Sequence, residues 1–130
     1  MAAFSTPFDV KRAARELVKA APEFRSVVSR GEAFPSKLVR PRSPFQALLR
    51  TIIFQQLSGK AASTIHRRVV ALFPSAGQVT AKNFDALQDE SVRSCGVSAN
   101  KLLALRDLCA HALRGDLPGY AALDRMGDVE

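Results

Sequence analysis

The stretch 43–58, SPFQALLRTIIFQQLS, constrains the fold more than any other, because it joins a helix signal to an abrupt polar end. Ser43 is placed to cap a helix, Pro44 suits its first turn, and Gln46 completes a Ser-x-x-Gln capping box. Phe45, Leu48, Leu49, Ile52 and Ile53 recur at helical spacing and form one apolar stripe, with Leu57 one turn further on. A helix with this stripe is expected to be buried. After Phe54 the pattern changes to Gln55, Gln56, Ser58, Gly59 and Lys60, and a second amphipathic helix starts at once. Ser58 is its expected cap, Ala62, Ile65, Val69, Leu72 and Phe73 its inner face, and Lys60, Thr64, Arg67 and Arg68 its outer side. Two helices with almost no loop between them make a helical hairpin.

The rest of the chain reads as further helices. Asp9 is placed to cap a first helix through Ala20, with Val10, Ala13, Ala14 and Leu17 inside, and Pro22 restarts the chain in a short turn to Arg30 that places Phe24, Val27 and Val28 inside. Gly31 suits the position after that turn, and 32–42, with Pro35 and Pro41, reads as an extended basic linker. Beyond Phe73, Thr80 begins a short helix carrying Phe84 and Leu87, and Asp89 is the expected cap of a turn with Val92 and Cys95, closed by Gly96. Ser98 caps a longer helix that runs to Gly115, with Leu102, Leu105, Leu108, Cys109, Ala112 and Leu113 inside. A short segment with Tyr120, Leu123 and Met126 follows, and Asp128 looks like the cap of another helix. No segment alternates with period two between turn signals, so no strand is expected. The fold class is all-α, a helical bundle, in two parts: 1–42 and 43–130.

Composition narrows the function classes. No uninterrupted apolar run is long enough to cross a bilayer, and no membrane partner is expected. Cys95 and Cys109 lie among apolar neighbours without ligand spacing, which favours buried free thiols over a disulfide or a metal site. Residues 1–68 hold 13 of the 19 lysines and arginines but only four of the 12 acids, a net +9 that leaves −2 for the remainder. That asymmetry fits a polyanionic partner such as nucleic acid, while charges that merely solvate exposed faces would look the same.

Pro44-Phe45-x-x-Leu48, then Ile52-Ile53-x-Gln55-Gln56-Leu57-Ser58-x-Lys60-Ala61-Ala62, resembles the opening of the helix-hairpin-helix DNA glycosylases, in particular the 3-methyladenine DNA glycosylase II branch. Cys95-Gly96-Val97-Ser98 with Lys101 is similar to a Gly-x-Ser-x-x-Lys run of the same branch, though those residues alone are also a helix stop followed by a cap. The resemblance spans roughly Arg40 to Glu130 and implies an N-terminal, largely helical part of such an enzyme.

Its implications for function are specific. Double-stranded DNA with alkylated bases is the implied partner, base excision repair the setting, and no cofactor is needed. The residue matching Gln56 lies at the tip between the two helices and inserts into the duplex where the damaged nucleotide has been extruded, with Gln55 beside it. Ser58, Gly59 and Lys60 open the second helix, whose free N–H groups and dipole suit a phosphate. By residue type alone, Gln55 and Gln56 are more commonly a solvated helix end, and Ser58 an ordinary cap. Phe54 is the aromatic most suited to stack a base, although aromatics at helical spacing are usually core. His66 and His111 read as plain surface or capping residues.

The family's catalytic aspartate and Gly-x-Gly hairpin fall beyond the region reached at Asp128, and neither Asp107 nor Asp116 matches that position. No catalytic residue is assigned, and this length of chain is expected to be an incomplete, inactive part. Apolar surface between Leu102 and Met126 then invites self-association. The alternative is a non-catalytic helical DNA-binding or interaction module.

Overall fold

The structure, a computed structural model, describes residues 2–5, 9–30 and 37–126. The chain divides into two compact units, Met1–Arg40 and Pro41–Glu130.

The first unit carries β1 (Ala2–Ser5), α1 (Val10–Ala20), a 3-10 turn (Pro22–Phe24), α2 (Arg25–Arg30) and β2 (Lys37–Arg40). Asp9 caps α1 as expected, its carboxylate accepting from the Lys11 and Arg12 amides at 2.9 and 3.1 Å. The helices of this unit have no fully buried residue, and Leu17, Phe24, Val27 and Val28, expected inside, are exposed. β1 and β2 pair antiparallel in the register Ala2↔Arg40 to Ser5↔Lys37. This ladder overturns the expectation of no strand and the reading of 32–42 as linker alone. Four-residue strands are too short for alternation to register, and these two find each other across the whole unit. Gly31 and Pro35 lie outside the described residues.

The second unit is helical throughout its described residues. It comprises α3 (Pro44–Phe54), α4 (Gly59–Val70), a 3-10 turn (Ala76–Gln78), α5 (Ala81–Asp85), α6 (Asp89–Ser94), α7 (Ala99–Arg114) and α8 (Tyr120–Leu123). The all-α class therefore describes this unit. Asp128 lies outside the described residues.

Short polar side chains set the helix starts. Ser43, Thr80 and Ser98 accept from the amides of Gln46, Asn83 and Lys101 at 3.2, 3.2 and 3.3 Å. The capping box at α3 is only half formed, because the Gln46 amide donates instead to Ala76 O (2.9 Å) and Val79 O (3.1 Å) of the 3-10 turn. Asp89 is not a cap: Gln88 holds that position without a side-chain bond, and the Asp89 carboxylate instead accepts from Arg106. Gly96 (φ +100°) and Gly115 (φ +85°) end α6 and α7 in the left-handed region. A Cβ on Gly96 would also stand 3.1 Å from Ile65 Cγ1 of α4.

These helices enclose one core, in which Phe45, Leu49 and Ile53 of α3 meet Val69, Phe73, Phe84, Val92, Leu102, Leu105 and Cys109. α7 is its central rod and packs against α3, α5 and α6. Phe84 lies between Phe45 (edge-on) and Phe73 (stacked), each at 6.4 Å between centroids. Cys95 and Cys109 are buried free thiols, and burial, with the Asp85 carboxylate nearby, pushes Cys109 up to about 11. Leu48 and Leu113, expected inside, are exposed, as are Leu123 and Met126 of the last segment. No helix among the described residues is long and apolar enough to cross a membrane.

Candidate nucleic-acid interface

The junction between α3 and α4 is built by two helix ends meeting within four residues. α3 closes at Gln55, whose amide still donates to Thr51 O at 3.1 Å while its own backbone leaves the helix at φ −57°, ψ 134°. Gln56 follows at φ +56°, the one non-glycine residue with positive φ among the described residues. A side chain in the left-handed region costs roughly 1–2 kcal/mol. The surrounding structure must therefore hold it there.

A lysine from α7 reaches this turn. Lys101 Nζ donates to Ile53 O at 2.7 Å and to Gln55 O at 2.8 Å, two carbonyls that the departing chain leaves without helical partners. Its charge also complements the negative end of the α3 dipole. In sequence Lys101 is only the last residue of a Gly-x-Ser-x-x-Lys run, and no local pattern points 46 or more residues back along the chain.

The structure brings all five expected residues together at this junction: Gln55, Gln56, Ser58, Gly59 and Lys60 are adjacent and exposed. Leu57 joins them. Sequence periodicity counts it as a continuation of the α3 stripe, whereas it is 40% exposed at the turn. Ser58 caps α4 through a long contact of 3.4 Å to the Ala61 amide, and no acid occupies the first turn of that helix. A Cβ on Gly59 would meet nothing within 4 Å. The start of α4 is thus open and positive, with the Ser58 hydroxyl taking the Ala61 amide. Arg50, Arg67 and Arg68 are exposed on the same two helices.

Phe54 is not available as a stacking platform. The Arg50 guanidinium lies 3.9 Å from its ring centroid, and the His66 ring meets it edge-on at 6.2 Å. Burial, and secondarily the Arg50 charge, lower the His66 pKa from its ordinary 6.5, so the folded protein favours neutral imidazole. The unfolded chain takes up this proton near its ordinary pKa and the folded chain only at lower pH. Stability from this source is full above 6.5 and falls as pH drops through the folded-state value. Urea midpoints measured between about pH 7.5 and about pH 5 are expected to fall further for the wild type than for His66→Gln.

A recess of about 440 Å³ lies apart from this junction, lined by Leu48, Ile52, Leu108 and Leu117 with Asp107, His111 and Asp116. His111 is exposed in the last turn of α7, where its Nδ1 lies 3.0 Å from Asp116 Oδ2 and its Nε2 3.8 Å from Asp107 Oδ1. Arg114, and then His111, hold the Asp116 carboxyl below its usual range. Two carboxylates at its rim make this recess a poor seat for phosphate. The α3–α4 junction, by contrast, offers cations and free amides.

Sequence and fold point the same way: the chain is similar in both to DNA glycosylases. The branch it resembles is that of the 3-methyladenine DNA glycosylases. DNA-3-methyladenine glycosylase 1 of Schizosaccharomyces pombe is 26% identical over 100 residues, 77% of this chain and 44% of that protein. The crystal structure of DNA-3-methyladenine glycosidase from Bacillus halodurans superposes with a TM-score of 0.66 at 29% identity, over 98% of this chain and 55% of that one. The S. pombe 3-methyladenine DNA glycosylase in complex with abasic DNA gives 0.75 at 25% identity, over 89% and 57%. No family model matches. The chain spans about half the length of the relatives it matches.

Proposed function

We propose that this chain serves base excision repair as a part of a DNA-3-methyladenine glycosylase that grips duplex DNA carrying an alkylated purine and wedges it open. The observation that carries this reading is the α3–α4 turn, where Gln56 is held in the left-handed region beside an exposed Leu57 and an open, positive helix start. Leu57 supplies apolar surface to stack where a nucleotide has left, and Gln56 supplies an amide for the exposed base edge. Filling the gap offsets part of an unstacking cost of a few kcal/mol. The amides of Gly59 and Lys60, with the Lys60 charge, hold a backbone phosphate nearby. The bond-breaking step is assigned to no residue of this chain, and no cofactor is invoked. The names of the relatives, and the abasic DNA bound to one of them, support the choice of substrate.

The reading is tested with a duplex containing one abasic-site analogue and its undamaged counterpart. Gln56→Ala with Leu57→Ala is expected to weaken abasic binding by about 5- to 30-fold, or 1–2 kcal/mol, while leaving undamaged binding within about twofold. Lys60→Gln is expected to weaken both equally and to reduce the salt slope by about one. An abasic preference that survives the double substitution contradicts the wedge.

A further inference from the structure

We propose that Lys101 is a positioning residue for the wedge: from the first turn of α7 its ammonium fixes the end of α3, and thereby the left-handed turn that presents Gln56 and Leu57. The inference rests on the functional reading above and adds a residue remote in sequence from the junction. Four observations converge on it. Lys101 Nζ lies within hydrogen-bond distance of both Ile53 O and Gln55 O, at 2.7 and 2.8 Å. These carbonyls flank the point where the helix ends, so a single cation bound to both fixes the direction in which the chain leaves. The next residue is Gln56 at φ +56°, a conformation that glutamine adopts only when its surroundings impose it. Lys101 is itself anchored, because its amide donates to Ser98 Oγ at 3.3 Å and α7 packs along α3 through the core.

A residue that merely stabilised the unit would act on the whole core. One that positions the turn acts at the turn. The ammonium carries the role, so Arg, which retains a cation with N–H donors, is expected to replace Lys, and Met, which retains only the apolar stem, is not.

The test compares Lys101→Met and Lys101→Arg with the wild type in two readouts. The first is amide hydrogen exchange at Gln55, with Leu105 and Cys109 in α7 as internal controls. The second is binding to a duplex with one abasic-site analogue and to its undamaged counterpart. Lys101→Met is expected to speed exchange at Gln55 by about tenfold or more without changing the α7 controls. It is also expected to lower the abasic preference by about 5- to 10-fold, with undamaged binding within about twofold and Lys101→Arg restoring both readouts. Unchanged abasic preference in Lys101→Met overturns the proposal, as does equal acceleration at Gln55 and the α7 controls. A wild type without abasic preference removes the functional reading instead. Exchange at Gln55 then decides alone: local acceleration sustains Lys101 as the holder of the turn, and its absence overturns that role.

Discussion

Phe84→Ala is expected to lower the unfolding free energy by about 3–5 kcal/mol, the range for removing a fully buried large aromatic. Phe84 is 0% exposed and belongs to the second unit's core. Phe45 brings α3 to it edge-on, Phe73 stacks on it from beyond α4, and the Arg106 guanidinium of α7 stands 5.5 Å from its ring. Phe45 and Phe73 are themselves buried in the core, and Arg106 is tied by hydrogen bonds, so none is free to fill the space. A loss of this size is a large fraction of the roughly 5–15 kcal/mol that holds a domain folded. Urea denaturation checks it, with Phe84→Leu as the control expected to lose about 1.5 kcal/mol or less. A loss below about 1 kcal/mol for alanine would mean that the three rings do not form one packed unit.

Arg106→Met is the second large effect, about 2–4 kcal/mol by the same measurement, since it removes one charged donor from several acceptors at once. The guanidinium donates to Phe84 O (3.2 Å), Asp85 O (3.1 Å) and Leu87 O, and its Nε and Nη2 reach Asp89 Oδ1 at 2.9 and 2.6 Å. One side chain thus closes the end of α5, the start of α6 and the loop between them onto α7. Methionine keeps the stem and removes every donor, so the loss measures hydrogen bonding rather than packing. Lysine is expected to recover less than half, because one ammonium cannot reproduce the fork. Full recovery by Arg106→Lys would contradict this account.

These two residues mark what sequence reading reaches and what it does not. Phe84 is legible: it follows a Thr80 cap at helical spacing, and its burial follows from that local pattern. Arg106 is not, because its partners lie 17 to 22 residues away and nothing in the spacing of charges names them. The candidate site divides the same way. Ser43, Pro44 and Ser58 announce two abutting helices, so the junction residues 55–60 are legible as a group. Gln56 in the left-handed region is not, since glycine or asparagine is the usual sign of such a turn. Leu57 is not legible either, since it continues an apolar stripe that the backbone abandons two residues earlier. Strands β1 and β2 are not legible, because each is four residues long and its partner lies at the other end of the unit. Gln46 and Asp89 have the residue types of local caps, yet their side chains reach the Val79 carbonyl and the Arg106 guanidinium, 33 and 17 residues away.

The most direct test is equilibrium binding of the wild-type chain to one duplex with and without a single abasic-site analogue, at about 50 and about 200 mM salt. The account predicts tighter binding to the abasic duplex at both concentrations, with both affinities falling steeply as salt rises. Equal affinity for the two duplexes would leave a non-specific basic surface with no wedge, and binding insensitive to salt would contradict a DNA-gripping role altogether.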